Sequence, residues 1–96
     1  MVVDADLLHD IDLNNLLAFW LVCHEHSVSR AAERLKVTQP AVSNTLAKLR
    51  VYFGDPLFVR EHNALIPTRR AQSIADELTL AFRHIQRALG HCQPSS

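Results

Sequence analysis

Glycine is almost missing from this chain, with two residues in 96 and only four prolines beside them. Two isolated glycines cannot build the loop that cradles a nucleotide phosphate, so the signatures that depend on such a loop are excluded. Cysteine is as sparse, at two residues, which rules out a disulfide framework. Cys23 falls inside a helical apolar pattern, the setting of a small buried thiol, and Cys92 is expected to be an exposed thiol in the tail. No apolar run approaches the roughly 20 residues that a membrane-spanning helix needs. The first 26 residues contain no Lys or Arg, only Asp4, Asp6, Asp10, Asp12 and Glu25 as charged groups. They do not resemble a signal or transit peptide. The expectation is one small domain, cytoplasmic, without a membrane partner and without a metal or other cofactor.

Catalysis is also poorly provided for. The six histidines (His9, His24, His26, His62, His84 and His91) are scattered along the chain. None joins a nucleophile and a carboxylate at a spacing that would make a catalytic set. Cys23, His24 and His26 lie close together, but no second ligand pair follows at a zinc-site spacing. The chain reads as a non-enzyme.

What is present is an uneven charge distribution beneath a formal net charge of zero. Residues 27–60 carry Arg30, Arg34, Lys36, Lys48, Arg50 and Arg60 against Glu33 and Asp55, a net of +4. A phosphate backbone responds to local potential rather than to the chain average.

Hydrophobic residues make up 48 % of the chain, enough for a modest core. Asp12 is placed to cap a first long helix from Leu13 to about Glu25, apolar on nearly every side. Leu16, Phe19, Val22 and Cys23 are expected in a three-helix core, with Leu13, Leu17, Trp20 and Leu21 turned to a second partner. Trp20 is read as a packing residue. Ser27 caps the next helix, which buries Ala31, Ala32 and Leu35. Lys36 and Val37 turn the chain, and Thr38 caps a helix from about Gln39 to Phe53 that ends near Gly54. Pro40 is tolerated in its first turn.

That last helix has two unlike faces. Val42, Leu46, Leu49 and Phe53 form one apolar stripe. Gln39, Pro40, Ser43, Asn44 and Lys48 lie opposite, and short or planar hydrogen-bonding groups dominate there. A helix packed on one side and presenting amides and hydroxyls on the other suits the edges of base pairs in a DNA major groove. After Asp55-Pro56, the runs Leu57–Arg60 and Ala64–Ile66 flank the polar turn Glu61-His62-Asn63, which predicts a hairpin anchored by Leu57, Phe58 and Leu65. Thr68 then opens a long helix ending near Gly90. Its residues Ala71, Ile74, Leu78, Ala81, Ile85 and Ala88, with Leu89 beside them, repeat as a helix-pairing seam. A homodimer through this helix is the expectation; the alternative has it cover the first helix of its own chain.

The run Ser27-Val28-Ser29-Arg30-Ala31-Ala32-Glu33-Arg34-Leu35, followed by Val37-Thr38-Gln39-Pro40-Ala41-Val42-Ser43-Asn44, closely resembles the DNA-binding domain of LysR-type transcriptional regulators. The likeness continues through Asp55-Pro56-Leu57-Phe58-Val59-Arg60 and Pro67-Thr68. It implies a mainly α fold: a winged helix-turn-helix (a three-helix core plus a small β-hairpin wing) followed by a long linker and dimerisation helix. The division expected is an acidic arm at 1–11, the winged helix-turn-helix at 12–66, the linker helix at 67–91 and a tail at 92–96. Members of the family usually continue into an effector-binding domain, for which these residues hold no counterpart; a small-molecule inducer would act only through it.

The resemblance further implies a bacterial, nucleoid-associated partner of double-stranded operator or promoter DNA, bound as a dimer at an interrupted palindrome. Carried over by position, Gln39, Pro40, Ser43 and Asn44 match base-facing residues. Ser27, Ser29, Arg30, Arg34, Thr38, Lys48 and Arg50 match phosphate or positioning contacts. Arg60 and His62 belong to the wing, whose tip here carries an acid, Glu61, and no glycine. A chain that dimerises without an effector domain could also pair with a longer relative and neutralise it.

Overall fold

The computed structural model describes residues 2–90. His91, Cys92 and the remainder of the proposed tail lie outside the described residues. In chain order the elements are α1 (Ala5–Asp10), α2 (Leu13–Glu25), α3 (Val28–Leu35), α4 (Gln39–Phe53), β1 (Phe58–Glu61), β2 (Ala64–Pro67) and α5 (Arg69–Ala88).

Local chemistry sets the helix ends. Asp12, Ser27, Thr38 and Thr68 each turn a side-chain oxygen back onto a free backbone N–H at the start of α2, α3, α4 and α5. Each such cap is worth about 1 kcal/mol. His26, Lys36 and Gly54 close α2, α3 and α4 in the left-handed conformation. These boundaries agree with the sequence reading. One element was not foreseen: Asp4 accepts a hydrogen bond from the Leu7 N–H at 3.1 Å and starts the short helix α1 inside the expected acidic arm.

Phe19 and Val22 of α2, Val42, Leu46 and Leu49 of α4, and Leu57 before the wing are the largest fully buried side chains. Each contributes roughly 1.5–3 kcal/mol by leaving water. Ala31 and Ala32 let α3 approach this centre closely. One assignment is corrected here. Leu16, expected in the core, remains half-exposed outside the cluster, while Leu21 is buried in the same cluster as Ala71 and Ala75 of α5. The long helix packs on α2 through Trp20, which meets Thr79 and Phe82. Cys23 is buried as expected, and desolvation, aided by the Asp76 carboxylate, pushes its thiol up from 9.0 to about 12.

The hairpin pairs Glu61 with Ala64 and Val59 with Ile66 around a two-residue turn. His62 and Asn63 both take positive φ, 48° and 68°, as a tight hairpin turn requires when its twist must match the strands. Glu61 is therefore a strand residue, and the turn is shorter than expected. Leu65, whose outer edge is left free by its place in the ladder, donates its N–H to the His26 carbonyl at 3.0 Å. Its own carbonyl lies 3.1 Å from His26 Nδ1. His26 thus adds a one-residue third rung that ties the wing to the end of α2.

Asp55 controls the entry to the wing. One of its carboxylate oxygens accepts from the Leu57 N–H at 2.7 Å and from the Thr68 hydroxyl at 3.1 Å. Leu57 is held at φ 68°, a conformation a branched residue rarely adopts, and its carbonyl accepts from the Thr68 N–H at 2.9 Å. The same three residues fix the start of the wing and the start of α5, which begins at Arg69 rather than at Pro67 because Pro67 completes β2.

Candidate nucleic-acid interface

The candidate interface is built on α4, which the core holds by one side only. Val42, Leu46 and Leu49 are buried, and every other residue from Gln39 to Arg50 is exposed except half-buried Thr45. At roughly 100° of rotation per residue, Pro40, Asn44, Ala47 and Val51 fall on one line opposite the buried stripe. Ser43 and Gln39 flank that line on one side and Lys48 on the other. The four residues matched to base-facing positions, Gln39, Pro40, Ser43 and Asn44, are all exposed in the first half of α4. Ala47 and Val51 were missed. Val51 is 84 % exposed, and the spacing from Pro40 and Asn44 already placed both on the outer face.

The helix is aimed by its neighbours. Thr38 accepts from the Ala41 N–H at 3.2 Å, which fixes the first turn and keeps its hydroxyl at the surface. On the far flank, the Thr45 hydroxyl donates to Asn15 Oδ1 of α2 at 3.2 Å. That bond sets the rotation of α4 about its axis relative to α2.

A polar cleft separates the beginning of α3 from the wing. Ser27, Ser29, Gln39, Arg60, Asn63 and His26 line it. The tertiary fold therefore brings two matched positioning serines, one matched base-facing amide and the wing arginine to one place. Ser27 accepts from the Arg30 N–H, and its hydroxyl lies 3.2 Å from that of Ser29. With the free N–H groups of the α3 N-terminus alongside, the cleft offers donors suited to an anionic oxygen. His26 and Asn63 escaped the sequence reading, because only the His26–Leu65 pairing puts them there.

The cations are distributed unevenly. Lys48 and Arg60 are exposed beside this surface, and Arg30 is exposed on α3. Arg34 is already engaged, since its guanidinium pairs with Glu25 at 3.0 Å. A phosphate would have to displace that partner, although an exposed pair of this kind resists little. Arg50 donates from Nε to the Pro56 carbonyl at 3.1 Å and secures the turn after α4. It is a structural brace with guanidinium donors still to spare. His62 sits in the exposed hairpin turn, at the tip of the wing.

The seam on α5 divides in two. Ala71 is fully buried within the domain's own core, so it is not available to a second chain; Ile74 and Leu78 pack against that core as well. Ala75, which the seam omitted, is also fully buried. Trp20 packs here, not at the candidate interface. Its indole N–H donates to the Thr79 hydroxyl at 2.8 Å and its ring meets Phe82 edge-on with centroids 5.8 Å apart. Ala81, Ile85, Ala88 and Leu89 remain exposed, and past Phe82 an open groove lies between Leu13 and Leu17 of α2 and Arg83, Ile85 and Gln86 of α5.

Among the described residues no group of three or more His, Cys, Asp or Glu could hold a metal ion, and no helix is long and apolar enough to cross a membrane.

The chain matches the family described as "Bacterial regulatory helix-turn-helix protein, lysR family" over residues 13–72. It is 45 % identical over 84 residues to the HTH-type transcriptional activator NahR of Pseudomonas putida, covering 88 % of this chain and 28 % of that protein. The crystal structure of the probable transcriptional regulator PA0477 from Pseudomonas aeruginosa superposes with a TM-score of 0.80 at 36 % identity, over 88 % of this chain and 28 % of that one. The BenM_DBD/catB site 1 DNA complex gives a TM-score of 0.78 at 21 % identity, over 83 % of this chain and 89 % of that one, a likeness of fold. The chain spans under a third of the length of NahR and of PA0477. With its order of helices, its hairpin wing and its long final helix, this chain belongs to the LysR family of bacterial helix-turn-helix regulators.

Proposed function

We propose that this chain is the DNA-reading part of a LysR-type transcription regulator, with α4 lying in the major groove of double-stranded operator DNA. The carrying observation is that α4 is buried on one side and otherwise exposes Gln39, Pro40, Ser43 and Asn44 in its first half. An amide such as Gln39 or Asn44 can bond adenine at two points, and the ring of Pro40 suits a thymine methyl. Lys48, Thr38 and Arg30 take phosphates and fix the register, and Arg60 reaches the backbone or minor groove from the wing. The acidic Glu61 weakens that arm. The BenM_DBD/catB site 1 DNA complex shares this fold and supports the reading.

The protein acts as a homodimer at an interrupted palindrome, in the cytoplasm at the nucleoid. The exposure of Ala81, Ile85, Ala88 and Leu89 on α5 supports this part of the proposal. The test is to select bound fragments from the source genome, then to titrate the recovered duplex by fluorescence anisotropy. Gln39→Ala/Asn44→Ala should lose at least about tenfold in affinity for that duplex and little for random DNA. Undiminished specific binding by this variant would overturn the assignment of α4 as the reader.

A further inference from the structure

We propose that His26 is a proton-coupled contact to the DNA backbone: its protonated imidazole and Arg60 hold a phosphate in the cleft between α3 and the wing. The inference rests on the DNA-binding reading above and adds to it a further contact and a dependence on pH. His26 is exposed at the end of α2 and lines the cleft with Ser27, Ser29, Gln39, Arg60 and Asn63. Two bonds to one wing residue orient it. Its carbonyl accepts from the Leu65 N–H at 3.0 Å, and its Nδ1 lies 3.1 Å from the Leu65 carbonyl. A carbonyl oxygen has no hydrogen to give, so Nδ1 carries the proton and donates it. The neutral ring is thereby fixed in the tautomer whose other nitrogen, Nε2, is an acceptor. Such a nitrogen cannot bond a phosphate oxygen; with a second proton it becomes a cationic donor that can. Arg60 pairs across the ladder with Leu65, so both lie on one face of the hairpin, and both line the cleft. Glu61 pairs with Ala64 and falls on the other face. On α2, Glu25 is held by Arg34 at 3.0 Å and His24 stacks on Trp20. The residues that α3 and α4 bring to the cleft, Ser29 and Gln39, are uncharged, and Arg30 does not line it. Among the described residues, Arg60 is thus the one charged side chain that lines the cleft beside His26. Two like charges there repel, whereas a phosphate between them attracts both. That difference couples the proton to the bound DNA.

The experiment measures the affinity of the 96-residue chain for a fluorescein-labelled random-sequence duplex, since a phosphate contact does not depend on base sequence. Anisotropy titrations run at about pH 8 and about pH 6, the range over which histidine gains its charge. Affinity should rise at least about threefold toward the lower pH, the size expected of one exposed charge pair. Calorimetry in two buffers of different ionisation enthalpy should show a proton taken up on binding. His26→Gln can still donate to the Leu65 carbonyl but cannot become charged; it should match the parent at the higher pH and show no rise. His26→Lys should bind at both values as the parent does at the lower one. Lys36 already adopts the same left-handed backbone, at φ 60°, so a lysine is tolerated in that conformation. His62→Gln should keep the rise, and circular dichroism verifies that each variant keeps its helix content. A parent that binds the duplex at neither pH removes the DNA-binding reading and this inference with it. A parent that binds equally at both, a His26→Gln variant that keeps the rise, or a His62→Gln variant that loses it overturns the role of His26 alone. So does an equal loss of affinity at both values in His26→Gln, which marks the residue as a structural tie to the wing.

Discussion

The indole N–H of Trp20 donates to the hydroxyl of Thr79 at 2.8 Å, joining α2 to α5 across 59 positions of the sequence. Thr79 passes the bond on, donating to the Ala75 carbonyl one turn back at 3.0 Å. This chain of two bonds orients the ring whose edge then packs on Phe82. Thr79→Val keeps the shape and removes the acceptor. The expected cost is about 1 kcal/mol, or roughly 4–8 °C in Tm. Urea titration followed by the fluorescence of Trp20, the only tryptophan, measures it; an unchanged midpoint would show that the bond contributes nothing net.

Asp55 should be far less tolerant. Its carboxylate oxygen holds both the Leu57 N–H and the Thr68 hydroxyl while Leu57 sits in a left-handed conformation. Asp55→Ala removes both acceptors and should destabilise by about 2–3 kcal/mol, with Asp55→Asn recovering much of it through its own side-chain carbonyl. Calorimetry of the two variants decides the point. Equal Tm values for Ala and Asn would mean that these hydrogen bonds are not what holds the turn.

Lys48→Ala and Asn44→Ala should fail differently. Removing Lys48 is expected to weaken binding to specific and random duplexes alike and to lower the slope of log K against log salt by about 1. Removing Asn44 should leave the slope and lower only the preference for the operator. Anisotropy at four salt concentrations separates them. Identical behaviour of the two variants would contradict the division of labour along α4.

Cys23 gives a pH prediction. Its thiol is pushed up from 9.0 to about 12 by burial, with Asp76 adding to the effect. The folded state therefore holds this proton more tightly than the unfolded state does. The stabilisation is fully present below pH 9 and is lost as pH rises toward 12. In a Cys92→Ser background, a thiol reagent at pH 8 should find nothing until denaturant is added, and the stability curve should decline above pH 9. Prompt labelling of native protein would contradict the burial of Cys23.

Much of the architecture was readable because it is built from local signals. Asp12, Ser27, Thr38 and Thr68 cap helices through groups two or three residues away, so their neighbours along the chain identify them. The stripe Val42, Leu46 and Leu49 repeats on one turn of helix, and its opposite face follows by subtraction. Short-range order of this kind also marked the exposed face of α4 with Gln39, Pro40, Ser43 and Asn44; Ala47 and Val51 were missed there, although the same count places them on it. What escaped was long-range. Nothing near His26 in sequence announces its bond to Leu65, and so the cleft shared by Ser29, Gln39 and Arg60 was not foreseen.

The near absence of glycine, the uneven charge and the two-faced helix Gln39–Phe53 were determined by the sequence itself, since composition, caps and periodicity act over a few residues. Only the tertiary structure decided how the α5 stripe is shared. Ala71, Ala75, Ile74 and Leu78 are consumed by the chain's own core, while Ile85 and Leu89 are left 37 % and 79 % exposed. A periodic apolar stripe states that a helix will be covered, not by what. The answer depends on where α2 ends against α5, and that is set by packing between residues far apart in the chain.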